Sequence, residues 1–435
     1  YHDIAGNSNP QYLIWPRFSD YAARIEQGDA KRGTGFFVIG ARDRYTRAAG
    51  ELDLLDPLEA IQSNSFAYQR QFQIWGLRHR FQGDTFGGHI VLGYTREKRF
   101  GILEGVGFEA QATNTLTQRL DLNGRFSKST LWNAGWEIRR AGLGLTIEGA
   151  DPLAILVQKE APGLARGADV DLTQGRTRVG AYGQLQVSAG DLKIFPGIRV
   201  SVDPMTETVR TSPRLSARWQ LADQTAVKFA FGHYSQAPRT EWLLPKTGTP
   251  SLSVPESWQV TMGFEQTIAN RLELQLDGYH KWVQDPIMTP VGTAPVSGKR
   301  GQIAGLEAVM RYRLRNHFFL WGWFGWSSSR IIDDAGQRLI GDYDQPISGG
   351  LVASWDPTKH WNIALRYRIG SGLPYTPVVN GLYNAGLDRY EPTPGVYNSA
   401  RMPLYQKVDG SIGYTAYFNR WTLNLRAELW VVPKS

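Results

Sequence analysis

The sequence predicts an all-β protein: a transmembrane, antiparallel, up-and-down β-barrel of about eighteen strands. Three observations point there. Apolar and charged residues alternate with period two along many segments. The links between these segments alternate short and long. Tryptophans gather beside the short links.

Composition sets the bounds. The chain has 435 residues, enough for two or three ordinary domains or one large barrel. Hydrophobic residues make up 42%, which argues against wholesale disorder. There is no cysteine, so disulfides, thiolate metal sites and cysteine nucleophiles are excluded. A formal charge of +8 fits an anionic ligand, lipopolysaccharide contact or a mildly basic surface. No long basic run accompanies it, so no nucleic-acid partner is expected. No stretch approaches the ~18–20 apolar residues of a membrane helix, and the longest candidate, Phe318–Trp326, is far too short. The chain begins with Tyr1, without a signal peptide, and reads as a piece of a longer protein.

The alternation is clearest in five places. In "PRLSARWQL", Leu215, Ala217 and Trp219 alternate with Arg214, Ser216 and Arg218. In "LELQLDGYHKW", Leu272, Leu274 and Leu276 alternate with Glu273, Gln275 and Asp277. "GLEAVMRYRLRNHFFLWGWFGW" reads as a hairpin turning at Asn316. Its Leu306, Ala308, Met310, Tyr312 and Leu314 face lipid, while Glu307, Arg311, Arg313 and Arg315 face a watery lumen. The phase of Phe318–Trp326 is ambiguous, because apolar residues fall on both faces. "WNIALRYRI" sets Trp361, Ile363, Leu365, Tyr367 and Ile369 against Asn362, Ala364, Arg366 and Arg368. "WTLNLRAEL" sets Leu423 and Leu425 against Asn424 and Arg426. Successive strand residues face opposite sides, so each segment has one greasy and one wet face. An arginine turned toward hydrocarbon costs ~2–4 kcal/mol at the midplane, which fixes which face is wet.

Short links are expected at 28–33, 82–84, 128–130, 190–191, 222–225, 269–270, 315–317, 356–360 and 419–420. Long ones are expected at 42–67, 97–116, 149–177, 203–212, 235–255, 283–301, 330–346 and 371–404. Barrels of the outer membrane have tight periplasmic turns and longer extracellular loops. Trp132, Trp219, Trp355, Trp361 and Trp421 lie near short links, as an interfacial girdle requires.

"VGAYGQLQVSAGDLKIFPGIRVSV" (179–202), "SPRLSARWQLADQTAVKFAFGHYSQAP" (212–238) and "ESWQVTMGFEQTIANRLELQLDGYHKW" (256–282) resemble the barrel of TonB-dependent outer-membrane receptors. "GLEAVMRYRL", "DYDQPISGGLVASWDPTKHWNIALRYRIGSGLPYTP" and "QKVDGSIGYTAYFNRWTLNLRAEL" continue in that family's order, and "PRFSDYAARIEQG" (16–28) looks like an early barrel segment. The resemblance covers most of the chain. It implies most of a twenty-two-stranded barrel over residues 1–435, with the N-terminal plug, the first strands and the last strand lying outside the sequence. It further implies a monomer in the Gram-negative outer membrane, bathed in lipid and lipopolysaccharide. Such a receptor binds a scarce nutrient, plausibly a ferric siderophore, and imports it with energy delivered through TonB via the plug. No cofactor and no enzymatic activity are implied. A passive porin-like channel and an adhesion or secretion barrel are the alternatives.

Ligand candidates follow from phase and loop position. Arg214, Arg218, Lys228, Arg311, Arg313, Arg366, Arg368 and Arg426 fall on inward phases, where they either attract anionic solutes or pair with Glu265, Glu273, Asp277 and Glu307. Trp242 in one long link, and Tyr375, Tyr383, Tyr390 and Tyr397 in another, are stiff rings suited to capture at the mouth. "ELDLLDPLEAIQ" (51–62) suggests a short helix. Asp333, Asp334, Asp342 and Asp344 cluster in one link, without the regular spacing of a calcium loop, and read as a solvated hairpin tip. "GVGFEA" (105–110) matches a dinucleotide glycine motif loosely, with no helix after it. The seven histidines have no metal-ligand spacing. Ser235 near His233 is the one pair a barrel hydrolase could use.

Overall fold

The computed structural model describes residues 14–29, 31–47, 66–103, 107–149, 170–290, 294–314, 317–384 and 389–431. Residues 51–62, with their expected helix, and Arg315 and Asn316 lie outside these.

Eighteen long strands run up and down. The first seven are β1 (Ile14–Gly28), β2 (Arg32–Arg47), β3 (Phe66–Gln82), β4 (Phe86–Leu103), β5 (Gly107–Arg125), β6 (Thr130–Gly149) and β7 (Val170–Ala189). Then come β8 (Leu192–Asp203), β9 (Thr208–Ala222), β10 (Thr225–Ser235), β11 (Glu256–Ile268), β12 (Leu272–Gln284) and β13 (Arg300–Leu314). The last are β14 (Phe318–Ile332), β15 (Ile347–Thr358), β16 (Trp361–Gly370), β17 (Tyr405–Tyr417) and β18 (Thr422–Val431). Each pairs antiparallel with its sequence neighbours. No pairing joins β1 to β18 among the described residues. This ladder is what lets the backbone cross hydrocarbon, because every N–H and C=O there needs a partner inside the protein.

The register carries one face continuously around the sheet. Arg218 lies opposite Lys228, Lys228 opposite Gly263, Gly263 opposite Asp277, and Asp277 opposite Glu307. That row is polar on every strand except for the glycine. The opposite face carries Met262, Leu276, Leu306, Phe324 and Leu365, all exposed. In a water-soluble fold so large an apolar surface would be an aggregation hazard; here it is the lipid-facing wall.

The same register resolves Phe318–Trp326. Arg311 faces Trp321 and Arg313 faces Phe319, so Phe319, Trp321 and Trp323 turn inward. Leu320, Phe324 and Trp326 turn outward. Pairing with a strand whose polarity is plain fixes a phase that aromatic residues on both faces obscure.

Tight turns occupy one end of the wall. The β7–β8 turn uses Gly190 at φ +59, and the β11–β12 turn places Ala269 and Asn270 at φ 50 and 55. Two adjacent left-handed residues match the twist of a hairpin. Trp132, Trp219, Trp355 and Trp361 stand on the outward face near this end. Trp258, Trp282 and Trp326 mark the outward face toward the other. Phe318 is opposite Trp355, and from Phe318 to Trp326 the strand runs ~26 Å at ~3.3 Å per residue. After tilting, that approaches the ~25 Å apolar band of such barrels.

Two expected long links are in fact short. The 97–116 segment is mostly strand: β4 runs to Leu103 and β5 starts at Gly107. The 203–212 segment is a single 3-10 turn, Pro204–Thr206, capped by Asp203. Arginines, threonines and amides read as loop by composition. Above the membrane they continue the ladder, since their polar side chains are wet on both faces.

The lipid boundary gives a direct test. Leu276→Arg, on the outward face, is expected to lose about 2–4 kcal/mol of folding stability in bilayers. Gln275→Arg, one residue away and inward, should change it by less than about 1 kcal/mol, measured by reversible urea unfolding in vesicles.

Candidate functional site

The inward faces of β6 to β9 gather arginines at the end bearing the long loops. Arg139 lies opposite Arg178, Tyr182 opposite Arg199, and Ser201 opposite Arg210. Arg214 sits on the same face of β9, opposite Gly197. A concavity of about 260 Å³ opens here, lined by Glu137, Arg139, Arg178, Arg199, Asp203 and Arg210, and by Gln236 from the loop above. Gly180 makes room for it. A Cβ there would come within 2.5 Å of the Arg199 guanidinium.

Not all of these charges are free. Arg139 pairs with Glu137 at 2.9 Å, and Arg210 pairs with Glu256. Arg178, Arg199 and Arg214 have no carboxylate partner among the described residues. Arg199 donates from Nε to the Ser201 hydroxyl at 3.2 Å, and Arg214 lies over the Tyr234 ring at 4.4 Å. Neither partner cancels charge. Three guanidiniums without an ion pair, two lining the concavity and Arg214 beside it, raise the local concentration of anions.

The loop between β10 and β11 roofs this wall. Its Leu243, Leu244, Leu252 and Val254 are buried. Arg176 anchors it: Nε reaches both carboxylate oxygens of Asp203 at 3.2 and 3.1 Å, and Nη1 donates to the Pro238 carbonyl at 2.7 Å. Both side chains of the pair are nearly inaccessible. Trp242, in the 3-10 turn Glu241–Leu243, is half-buried under the Arg239 guanidinium at 5.1 Å.

The other predicted positions are dispersed. Arg218 pairs with Glu265, which also takes Lys228 at 3.0 Å; Lys228 reaches Asp277 at 3.2 Å. Arg311 pairs with Glu273 at 3.0 Å, and Arg313 lies over Phe319 at 5.8 Å. These sit toward the tight-turn end, away from the mouth. Arg366 pairs with Asp409 at 3.2 Å. Arg368 lies opposite Lys407, and its Nε finds no hydrogen-bond partner. Tyr375 is half-buried and pairs with Ala400. Tyr383 is exposed on a hairpin opposite the backbone of Tyr390, whose side chain lies outside the description. His233 uses both ring nitrogens, one toward the Thr211 carbonyl at 3.1 Å and one toward Glu256 at 3.1 Å, so neither is directed at Ser235. Among the described residues no group of acidic or imidazole side chains could hold a metal.

Arg178 and Arg199 escaped the sequence reading. The signal was present: Arg199 alternates with Ile198 and Val200 in the same two-residue rhythm as Arg214.

The aspartates expected at a solvated tip are instead a lock between loops. Asp344 is 1% exposed. It accepts from Arg330 at 3.2 Å, from the Ser329 N–H, and from Arg401, which also donates to the Asp344 carbonyl at 2.7 Å. Asp342 accepts from Tyr397, from Asn398 Nδ2 at 2.7 Å and from Thr289 at 3.2 Å. Burial, and then the Asp342 charge, push the Tyr397 hydroxyl well above its usual range, so it stays a donor. Tyr397 is therefore structural, packed on Met288, Ile331 and Leu339. Thr249 donates to the Pro295 carbonyl at 2.7 Å and ties in the β10–β11 loop. Asp334 stays exposed, and the half-buried Asp333 holds a tight turn by accepting from the Gln337 N–H at 2.7 Å.

Removing one side of a buried ion pair strands the other. Asp344→Ala should cost about 3–5 kcal/mol locally, read as rapid proteolytic nicking within 332–347 while the strand ladder stays protected from hydrogen exchange.

The family model described as "TonB dependent receptor-like, beta-barrel" matches residues 2–428. No curated protein matches the chain in sequence. Among solved structures, the FrpB iron transporter of Neisseria meningitidis superposes with a TM-score of 0.66 at 11% identity, covering 92% of this chain and 65% of that one. The ferric enterobactin receptor PfeA of Pseudomonas aeruginosa gives 0.69 at 14%, covering 98% and 67%. The siderophore receptor PirA of Acinetobacter baumannii gives 0.68 at 11%, covering 92% and 65%. The chain thus spans about two thirds of the length of these structures. At such identities they establish the fold, while the family match runs nearly end to end. The chain belongs to the TonB-dependent receptor family and forms its β-barrel in the outer membrane.

Proposed function

We propose that the chain is the barrel of a receptor that captures a scarce anionic nutrient, a ferric siderophore, at its extracellular mouth and imports it with TonB-delivered energy. The observation that carries the substrate class is the set of Arg178, Arg199 and Arg214 on one lumen wall, none of them in an ion pair among the described residues. Ferric chelates with carboxylate or catecholate donors are anionic, and a low-dielectric concave wall focuses field upon them. The iron and siderophore receptors that share the fold support this reading. Energy coupling rests on family membership, and the plug that would receive it is proposed to accompany this barrel in the whole receptor.

The test combines growth and binding. A strain lacking the receptor should fail to grow on its cognate ferric siderophore as sole iron source, and should recover with the intact gene. Arg178→Ala, Arg199→Ala and Arg214→Ala should each weaken binding of that chelate about tenfold, which is ~1.4 kcal/mol, and flatten its salt dependence. Unaltered binding in all three variants removes the proposed site. Swelling of liposomes in neutral sugar solutions, with no energy source, would assign the barrel to passive diffusion instead.

A further inference from the structure

The ladder between β9 and β10 stops before the strands do. Gly232 opposite Arg214 is its last pair, whereas β10 keeps pairing with β11 as far as Ser235 opposite Glu256. Beyond Gly232 a side chain bridges the seam toward β9. His233 stands at the level of Trp258, beside whose ring it lies at 4.9 Å, and it is 8% exposed. Its Nδ1 meets the Thr211 carbonyl on β9 at 3.1 Å, and its Nε2 meets the Glu256 carboxylate on β11 at 3.1 Å.

Both partners are acceptors. A neutral imidazole carries one N–H, so it donates to one of them and turns a lone pair on the other. The doubly protonated ring donates to both. Glu256 also receives Arg210 of β9, so it meets the ring as a carboxylate. Gln284, opposite Glu256 on β12, is neutral, and Tyr234, next along β10, lies under Arg214. Among the described residues, Glu256 is therefore the one charge that meets the ring, with Arg210 behind it.

This bridge sits at the foot of the roof. The β10–β11 loop leaves at Ser235 and returns at Glu256, and the Gln236 N–H donates to the Pro255 carbonyl across its foot at 3.0 Å. Arg210, Ser235 and Gln236 all line the arginine concavity. Whatever holds Glu256 thus holds both a wall residue of that site and one end of its cover. The other ties of the cover, from Arg176 to the Pro238 carbonyl and from Thr249 to the Pro295 carbonyl, involve no imidazole.

We propose that His233 is an acid-dependent positioning residue for the anion site. As imidazolium it ties β9 to β11, steadies Glu256 with Arg210, and holds the roof down. As neutral imidazole it lets go of one strand. Protonation therefore favours the closed roof, and closure is lost as pH rises through the interval of about pH 5 to 8 in which imidazole changes charge. A closed roof slows the escape of an anion held by Arg178 and Arg199. The identity of that anion rests on the siderophore reading. The movement of the roof does not, and it is tested without any solute.

The test uses the intact receptor in a neutral detergent, spin-labelled at Ser251→Cys, an exposed roof position in a chain without cysteine. The mobile fraction of the label should rise about threefold or more between pH 5 and pH 8. His233→Phe, which keeps a ring against Trp258, should abolish that step and leave the label mobile at both pH values. Glu256→Gln should flatten the step for a different reason, since its amide can donate to the bare Nε2 of the neutral ring. His360→Phe, in a tight turn at the other end of the wall, should keep the step. Heat-modifiable migration on gels reports whether each variant is folded. If His233→Phe does not fold, His233→Gln decides by the same criterion, because it too cannot titrate. A step that survives in the folded His233 variant, or a wild type with no step, overturns the proposal. An intact step in a receptor that binds no ferric siderophore removes the functional reading and leaves this one standing.

Discussion

Inside a bilayer an unpaired backbone amide has no water to fall back on, and that constraint organises this protein. The strand ladder satisfies each amide sideways, so the wall can be one residue thick. A wall so thin has two faces in different solvents, and the side-chain period of two then writes the sequence. Leucine and tryptophan go one way; arginine and glutamate go the other. Register matters more than in a soluble sheet, since a slip by one residue would exchange lipid and lumen faces along a whole strand.

Charge is handled differently along the barrel. Toward the tight turns, lumen cations are matched by carboxylates on neighbouring strands, as with Arg218 and Glu265 or Arg311 and Glu273. Exposed pairs of this kind add little stability and mainly keep the lumen near neutrality. Toward the mouth the matching lapses at Arg178, Arg199 and Arg214. The loops above are held by costlier means. Arg176 and Asp203 are buried together, and the buried Asp344 is held by the partly exposed Arg330 and Arg401. Such pairs are specific in geometry rather than strongly stabilising, which suits the placing of a loop.

Most of the fold was legible because alternation is local. Leu306 to Leu314 declares its phase in its own residues, and the structure places each side chain as expected. Phe318–Trp326 does not, since its phase is set by a partner strand. The 97–116 and 203–212 segments misled because polar composition signals water, and strands can stand in water as well as loops do. The locking aspartates were illegible for a different reason. Arg401 lies far from Asp344 in sequence, and no local pattern announces their meeting. Among the mouth arginines, Arg214 was found, while Arg178 and Arg199 were overlooked despite obeying the same rhythm.

Strand length varies systematically around the wall. β3 to β7 are 17 to 20 residues long, whereas β15 and β16 have 12 and 10. Tight turns align the lower ends, so the surplus is all at the top. The rim is bevelled: sheet fences one side of the vestibule, and interlocked loops fence the other. A fence of hydrogen-bonded sheet bends as a unit, while a fence of clamped loops can open only by releasing a clamp. Any widening of the entrance should therefore start on the low side, where Asp344 and Asp342 act as the latch.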